Sequence, residues 1–194
     1  VFFLELFLLA WVVPELALVS RVVVEHREQG PGMYCGQGTS PVSSQDRDDW
    51  LRMPPAPWLD ADERRRARFV SIFPNVLVSL LPNHVFVMRL APTSAGETVE
   101  TCTWLVPPDV EVADGAFAVT RDFWLDVNAE DIDIVERGQR GLAGGARRPG
   151  PLSPRFEEPL HRFHGMLADL MTLDRASELR IPAGDRAQPS TSSP

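Results

Sequence analysis

The order of apolar and polar positions divides the chain into stretches of different character. The opening run, VFFLELFLLAWVVPEL, is apolar at nearly every position apart from Glu5. It reads as a helix from Val1 to Leu18, ended or kinked at Pro14. Arg21 to Arg27 (RVVVEHR) fits a short strand or a continuation of that helix. Gly30 to Ser44 is rich in Gly, Ser and Pro and reads as loop, with one strand near Met33 to Cys35. Asp46 to Asp60 combines Pro54, Pro55 and Pro57 with Trp50, Trp58 and charged residues, which predicts irregular structure. Ala61 to Arg66 (ADERRR) is a short charged turn.

The pattern then becomes β-rich. Arg68 to Phe73, Val76 to Leu81, His84 to Leu90 and Glu97 to Val106 are dominated by β-branched and aromatic residues. Pro74-Asn75, Pro82-Asn83, Pro92 to Gly96 and Pro107-Pro108 bound them with turn signals. Links this short predict antiparallel neighbours in a meander. The last run alternates: Val99, Thr101, Thr103 and Leu105 face one way, and Thr98, Glu100, Cys102 and Trp104 the other.

Helical spacing returns after Asp114. Phe117 to Leu142 carries apolar residues at Phe123, Val127, Ile134 and Val135, and Gly141 with the Gly144-Gly145 pair predicts its end. After a Pro/Gly loop, Phe156 to Leu173 sets Leu160, Phe163, Leu167, Leu170 and Met171 on one helical face. From Asp174 the tail is polar, ends QPSTSSP, and is expected to be disordered over 174–194. The predicted fold class is α+β, with helices packed on one curved antiparallel sheet.

Composition narrows the function. The chain has 194 residues, enough for one domain with a sizeable core. The net charge is −8 and no basic block occurs, which argues against nucleic acid as a partner. Cys35 and Cys102 stand far apart with no CxxC or Cys/His cluster, so they read as two buried free thiols of a cytoplasmic protein. The opening run is too short for the roughly 20 apolar residues of a membrane span. It also lacks the basic start of a signal peptide, and Glu5 interrupts it. Residue 1 is Val, so the chain reads as a fragment or processed product.

Three blocks carry more than a fold class. They are Phe73-Pro-Asn-Val-Leu-Val-Ser-Leu-Leu-Pro-Asn-His, the stretch from Phe123 to Leu142, and Pro149-Gly-Pro-Leu-Ser followed by Glu157 and Leu160 to His164. The middle block holds a Glu-Asp-x-x-x-x-Glu-x-x-Gln-x-Gly pattern from Glu130 to Gly141. In this order and spacing, from about Leu4 to Met171, the chain resembles the C-terminal catalytic domain of Rieske-type aromatic-ring-hydroxylating oxygenases, alpha subunit.

That resemblance implies a helix-grip (START/Bet v1-like) domain over residues 1–173. Its pocket would hold mononuclear non-haem Fe(II) on two His and one carboxylate, leaving positions open for O₂ and a small aromatic or related organic substrate. The match assigns the carboxylate to Asp131, five residues before Glu136. The two His should lie in the opening helix. There the ends agree at Glu5, Trp11 and Pro14-Glu15-Leu16, but the His positions are Leu8 and Val13, and Tyr positions are Phe3 and Phe7. Glu5 takes the position of an acidic residue that bridges the iron to a neighbouring Rieske cluster for electron transfer.

Neither Leu nor Val has a lone pair for Fe(II). His26, His84, His161 and His164 read as structural or surface residues rather than substitutes. The Cys-x-His and Cys-x-x-His pairs that hold a [2Fe–2S] cluster are absent from the sequence given. The resemblance implies a Rieske domain, a reductase and a homotrimer as partners of a full-length parent. The reading is therefore an oxygenase catalytic domain impaired as it stands. The alternatives are a non-catalytic homologue that binds a hydrophobic ligand or pairs with another subunit, and a decayed or misread gene.

Overall fold

The structure is a computed structural model that describes residues 22–28, 33–41, 53–145, 150–152 and 157–173. The opening apolar run with Glu5, Leu8 and Val13, and the tail 174–194, lie outside the described residues. Six strands form one sheet: β1 (Val22–Glu28), β2 (Tyr34–Pro41), β3 (Ala67–Ile72), β4 (Val76–Leu80), β5 (Val85–Ser94) and β6 (Glu97–Leu105). Their order in the sheet is their order in sequence, and every neighbouring pair is antiparallel. From β3 to β6 this is the meander that the short Pro/Asn and Gly links predict; β1 and β2 extend it across the longer connection 42–66. Two helices follow, α1 (Ala116–Ala143) and α2 (Glu158–Thr172). The class is α+β with an antiparallel sheet, as the sequence predicts.

Several boundaries differ from expectation for local reasons. Val22–Glu28 is a strand, and β2 extends to Pro41 instead of stopping near Cys35. Gly36 helps explain that extension. A Cβ there would sit 2.8 Å from the Phe69 carbonyl oxygen, so only glycine lets β2 approach β3 this closely. β5 continues through Pro92, which the sequence assigns to a turn; a register shift between Pro92 and Ser94 accommodates the ring, which has no N–H to give the ladder. ADERRR contains a single 3₁₀ turn, Glu63–Arg65. Gly141 lies within α1, which ends instead at Gly144 and the left-handed Gly145.

Strand periodicity builds the core. Ala67, Ser71, Leu77, Ser79, Phe86, Met88 and Leu90 are buried on the inward face, whereas Arg68, Ile72, Leu80 and Arg89 face out. One row runs across five strands through Cys35, Ser71, Leu77, Met88 and Cys102. On β6 the alternation is as read: Thr98, Glu100, Cys102 and Trp104 are half-buried and their neighbours exposed.

The helices close the core from one side. Leu77, Phe86, Met88 and Leu90 pack with Trp124 and Val135 of α1 and Phe163 and Met166 of α2. Phe86 stacks on Trp124 with ring centroids 4.4 Å apart, and Phe73 lies against Phe163 at 5.0 Å. Val135, Leu160 and Phe163 are buried as expected, and other positions of the two helix faces need correction. Trp124, not Phe123, is the buried aromatic of α1. In α2, Met166 is buried, while Leu170 and Met171 are exposed. Apolar content alone cannot separate two adjacent aromatics; the contact with Phe86 does. α2 is fixed to the sheet by buried Arg162, whose Nε donates to the Tyr34 carbonyl at 2.9 Å.

Phe163 joins α2 to the sheet from a fully enclosed position. Phe163→Ala is expected to lower unfolding free energy by about 3–5 kcal/mol, read from urea denaturation, because the cavity adds to the lost transfer energy.

Candidate active site

The long helix presents one stripe to the sheet. Thr120, Trp124 and Val135 are buried along it, and Asn128 and Asp131 are half-buried between them. Spacings of three and four residues place all five on one side of a helix. The apolar part of the stripe meets the core, and its polar part meets β6.

A buried hydrogen-bonded chain sets the helix in place. Trp124 Nε1 donates to His84 Nε2 at 2.7 Å. Since Nε2 accepts, the ring proton belongs on Nδ1, which donates to Asn83 Oδ1 at 2.8 Å. Asn83 in turn donates from Nδ2 to the Met53 carbonyl at 3.3 Å. Burial pushes the His84 pKa down to about 4, so the imidazole is neutral at ordinary pH.

One turn beyond Trp124, Asn128 Nδ2 donates to Glu100 Oε2 on β6 at 2.8 Å. Glu100 Oε1 and Asn128 Oδ1 are buried and have no hydrogen-bond partner among the described residues. Asp131 follows on the same stripe. Its carboxyl pKa is pushed up to about 6, first by burial and then by the charges of Glu130 and Glu100. Glu100 is also raised by burial, against the opposing effect of its bond from Asn128. The Cys102 thiol is raised by burial and by Glu100. Further along the same face of β6, the Trp104 indole N–H is buried without an acceptor, and its ring contacts Phe86 and Phe117 at 5.2 and 6.3 Å.

Among the described residues, this arrangement does not complete a site for Fe(II). Asp131 offers one carboxylate. No group of three His, Cys, Asp or Glu able to hold a metal occurs among the described residues. Both nitrogens of His84 are already engaged. His161 is exposed on α2, and His164 is half-buried on the same helix, beside Phe163. Leu8 and Val13 have aliphatic side chains, which cannot ligate. The pKa of the other thiol, Cys35, is raised to about 11 by burial, despite Arg162 and Ser71, which disfavours the thiolate.

Of the residues singled out from sequence, the structure places Asp131 in a buried polar seam; Glu5, Leu8 and Val13 lie outside the described residues. Sequence reasoning missed Glu100, Asn128 and the His84–Trp124 pair. A signal for Glu100 was available: it is a carboxylate on the inward-facing phase of β6. Asn128 precedes Asp131 by one helical turn.

Residues 15–173 match the family of ring hydroxylating alpha subunits, catalytic domain. The chain belongs to this family. Within it, the chain is similar to the glycine betaine monooxygenase oxygenase subunit of Pseudomonas aeruginosa, with 40% identity over 76 residues, 39% of this chain and 18% of that protein. The corresponding subunit of Chromohalobacter salexigens is 30% identical over 99 residues, 50% of this chain and 22% of that protein. Putrescine 2-hydroxylase of Bordetella bronchiseptica is 26% identical over 103 residues, 50% of this chain and 24% of that protein. The chain thus spans about a quarter or less of these relatives in its matched part. The ring-hydroxylating oxygenase resemblance drawn from the Glu130 to Gly141 block is confirmed. No helix among the described residues is long and apolar enough to cross a membrane.

The buried imidazole gives a pH signature. Unfolded His84 takes up a proton as pH falls through 6.5, whereas in the fold it stays neutral until about 4. The stability this site contributes is present above 6.5 and is lost as pH falls toward 4, by about 3 kcal/mol. Raised carboxyls at Asp131 and Glu100 act in the opposite sense, so the comparison is with His84→Gln. Denaturation curves across this range should show a shallower loss of stability on acidification in the variant.

Proposed function

We propose that this chain is the catalytic-domain portion of a Rieske-type non-haem iron oxygenase acting on a small organic amine or a related molecule. The observation that carries this reading is the burial of Asp131 beside Glu100, on the helical block whose pattern led to the family. A half-buried acidic residue in a helix–sheet seam suits a carboxylate ligand position better than a solvated surface role. The relatives support the substrate class: glycine betaine and putrescine both carry cationic nitrogen. Aromatic substrates are the wider family possibility.

Iron chemistry is not assigned to the residues as they stand. Asp131 supplies one ligand of the three that a facial site needs. The helix-grip pocket, a Rieske domain carrying the [2Fe–2S] cluster, a reductase, a homotrimer, and a bridging role for Glu5 belong to the same proposal, as does a cytoplasmic setting. So does the division into a domain over 1–173 and a polar tail. Within the described seam, this chain's own residues would bind and orient substrate. Trp124, Phe86 and Trp104 would exclude water from the apolar side.

Leu8 and Val13 favour a second reading, a non-catalytic member that keeps the pocket for a hydrophobic ligand or for pairing with an active subunit. Anaerobic reconstitution with Fe(II) tests the ligand assignment. The chain as it stands should retain little iron, the Leu8→His, Val13→His double variant should approach one iron per chain, and adding Asp131→Ala should remove it. A double variant that gains no iron would show that these positions do not face Asp131.

A further inference from the structure

The seam between α1 and β6 contains two acceptor oxygens to which no described residue donates. Glu100 Oε1 and Asn128 Oδ1 are both buried and both lack a partner among the described residues. Their other polar atoms are joined, Asn128 Nδ2 to Glu100 Oε2 at 2.8 Å. That bond fixes the amide orientation, because flipping it would set two acceptors against each other. Buried acceptors without donors are uncommon, and each calls for something that brings a donor.

The local charge indicates what kind of donor. The charges acting on Asp131 are those of Glu130 and Glu100, both negative. The charge acting on Cys102, next along the inward face of β6, is again Glu100. A group carrying both positive charge and N–H donors meets all of these features. A neutral alcohol meets only the donor requirement. A quaternary ammonium meets only the charge.

We propose that Glu100 and Asn128 are specificity-determining residues that take the ammonium group of a small primary or secondary amine, with N–H donors directed to Glu100 Oε1 and Asn128 Oδ1. This rests on reading the α1–β6 seam as the substrate side of the catalytic domain. The amide bond to Oε2 holds the carboxylate in position, so Asn128 both orients Glu100 and supplies the second acceptor.

Calorimetric titration of the full, metal-free chain with n-butylammonium, tetramethylammonium and 1-butanol tests this. The wild-type chain should bind n-butylammonium about tenfold or more tightly than either of the others. Glu100→Gln, which keeps shape and an oxygen for Asn128, should weaken n-butylammonium by about tenfold and leave 1-butanol unchanged. Equal binding of the three probes, no binding of n-butylammonium, or an unchanged affinity in Glu100→Gln would each overturn the proposal. Should the variant fail to fold, the wild-type ranking decides alone. Metal plays no part in this readout. A failed gain of iron with a preserved amine preference would therefore count against the ligand assignment, and the reverse pattern against the amine site.

Discussion

The hydrogen bond from Trp124 to His84, 2.7 Å long and buried, sets the rotation of the long helix about its own axis. A helix lying on a sheet can turn without losing much apolar contact, since its side chains present a continuous surface. A single directional bond to a fixed imidazole removes that freedom. His84 is itself fixed by Asn83, and Asn83 by the Met53 carbonyl, so the chain ends on backbone. With Trp124 placed, Asn128 and Asp131 follow on the same face of the helix. The polar seam is therefore positioned by a bond that lies outside it.

Along that one stripe, the environment changes from dry core to polar seam. Trp124 stacks on Phe86 in a tightly packed aromatic group. Asn128 and Asp131 then face carboxylate chemistry, and Val135 returns to the core. Burying Asp131 and Glu100 near each other disfavours the charged form of both. A sequence selected only for stability would place aliphatic residues there. The local rule is broken where a site is expected, as is common in natural proteins.

The strands were largely legible because a half-buried antiparallel sheet imposes a period of two that side-chain chemistry cannot hide. On β6 the reading extended to which residues face inward. Helices were legible in extent and less so in orientation. Phe123 and Trp124 are adjacent large aromatics, and only the position of Phe86 and His84 decides between them. Leu170 and Met171 show the same limit near the end of α2, where helical spacing continues but the core does not. Asp131 was singled out through its motif, and the structure half-buries it. Glu100 and Asn128 were not singled out, because their pairing joins residues 28 positions apart that no periodicity connects.

The meander has a consequence for how the molecule forms. Each strand bonds to its sequence neighbour, so most ladder contacts close short loops and lose little chain entropy. The sheet can assemble hairpin by hairpin, in the order in which the chain leaves the ribosome. The two carboxyls of the seam come together only when α1 docks, after β6 is complete. Glu100 and Asp131 lie on different elements, so the electrostatic repulsion between them arises only where α1 meets β6.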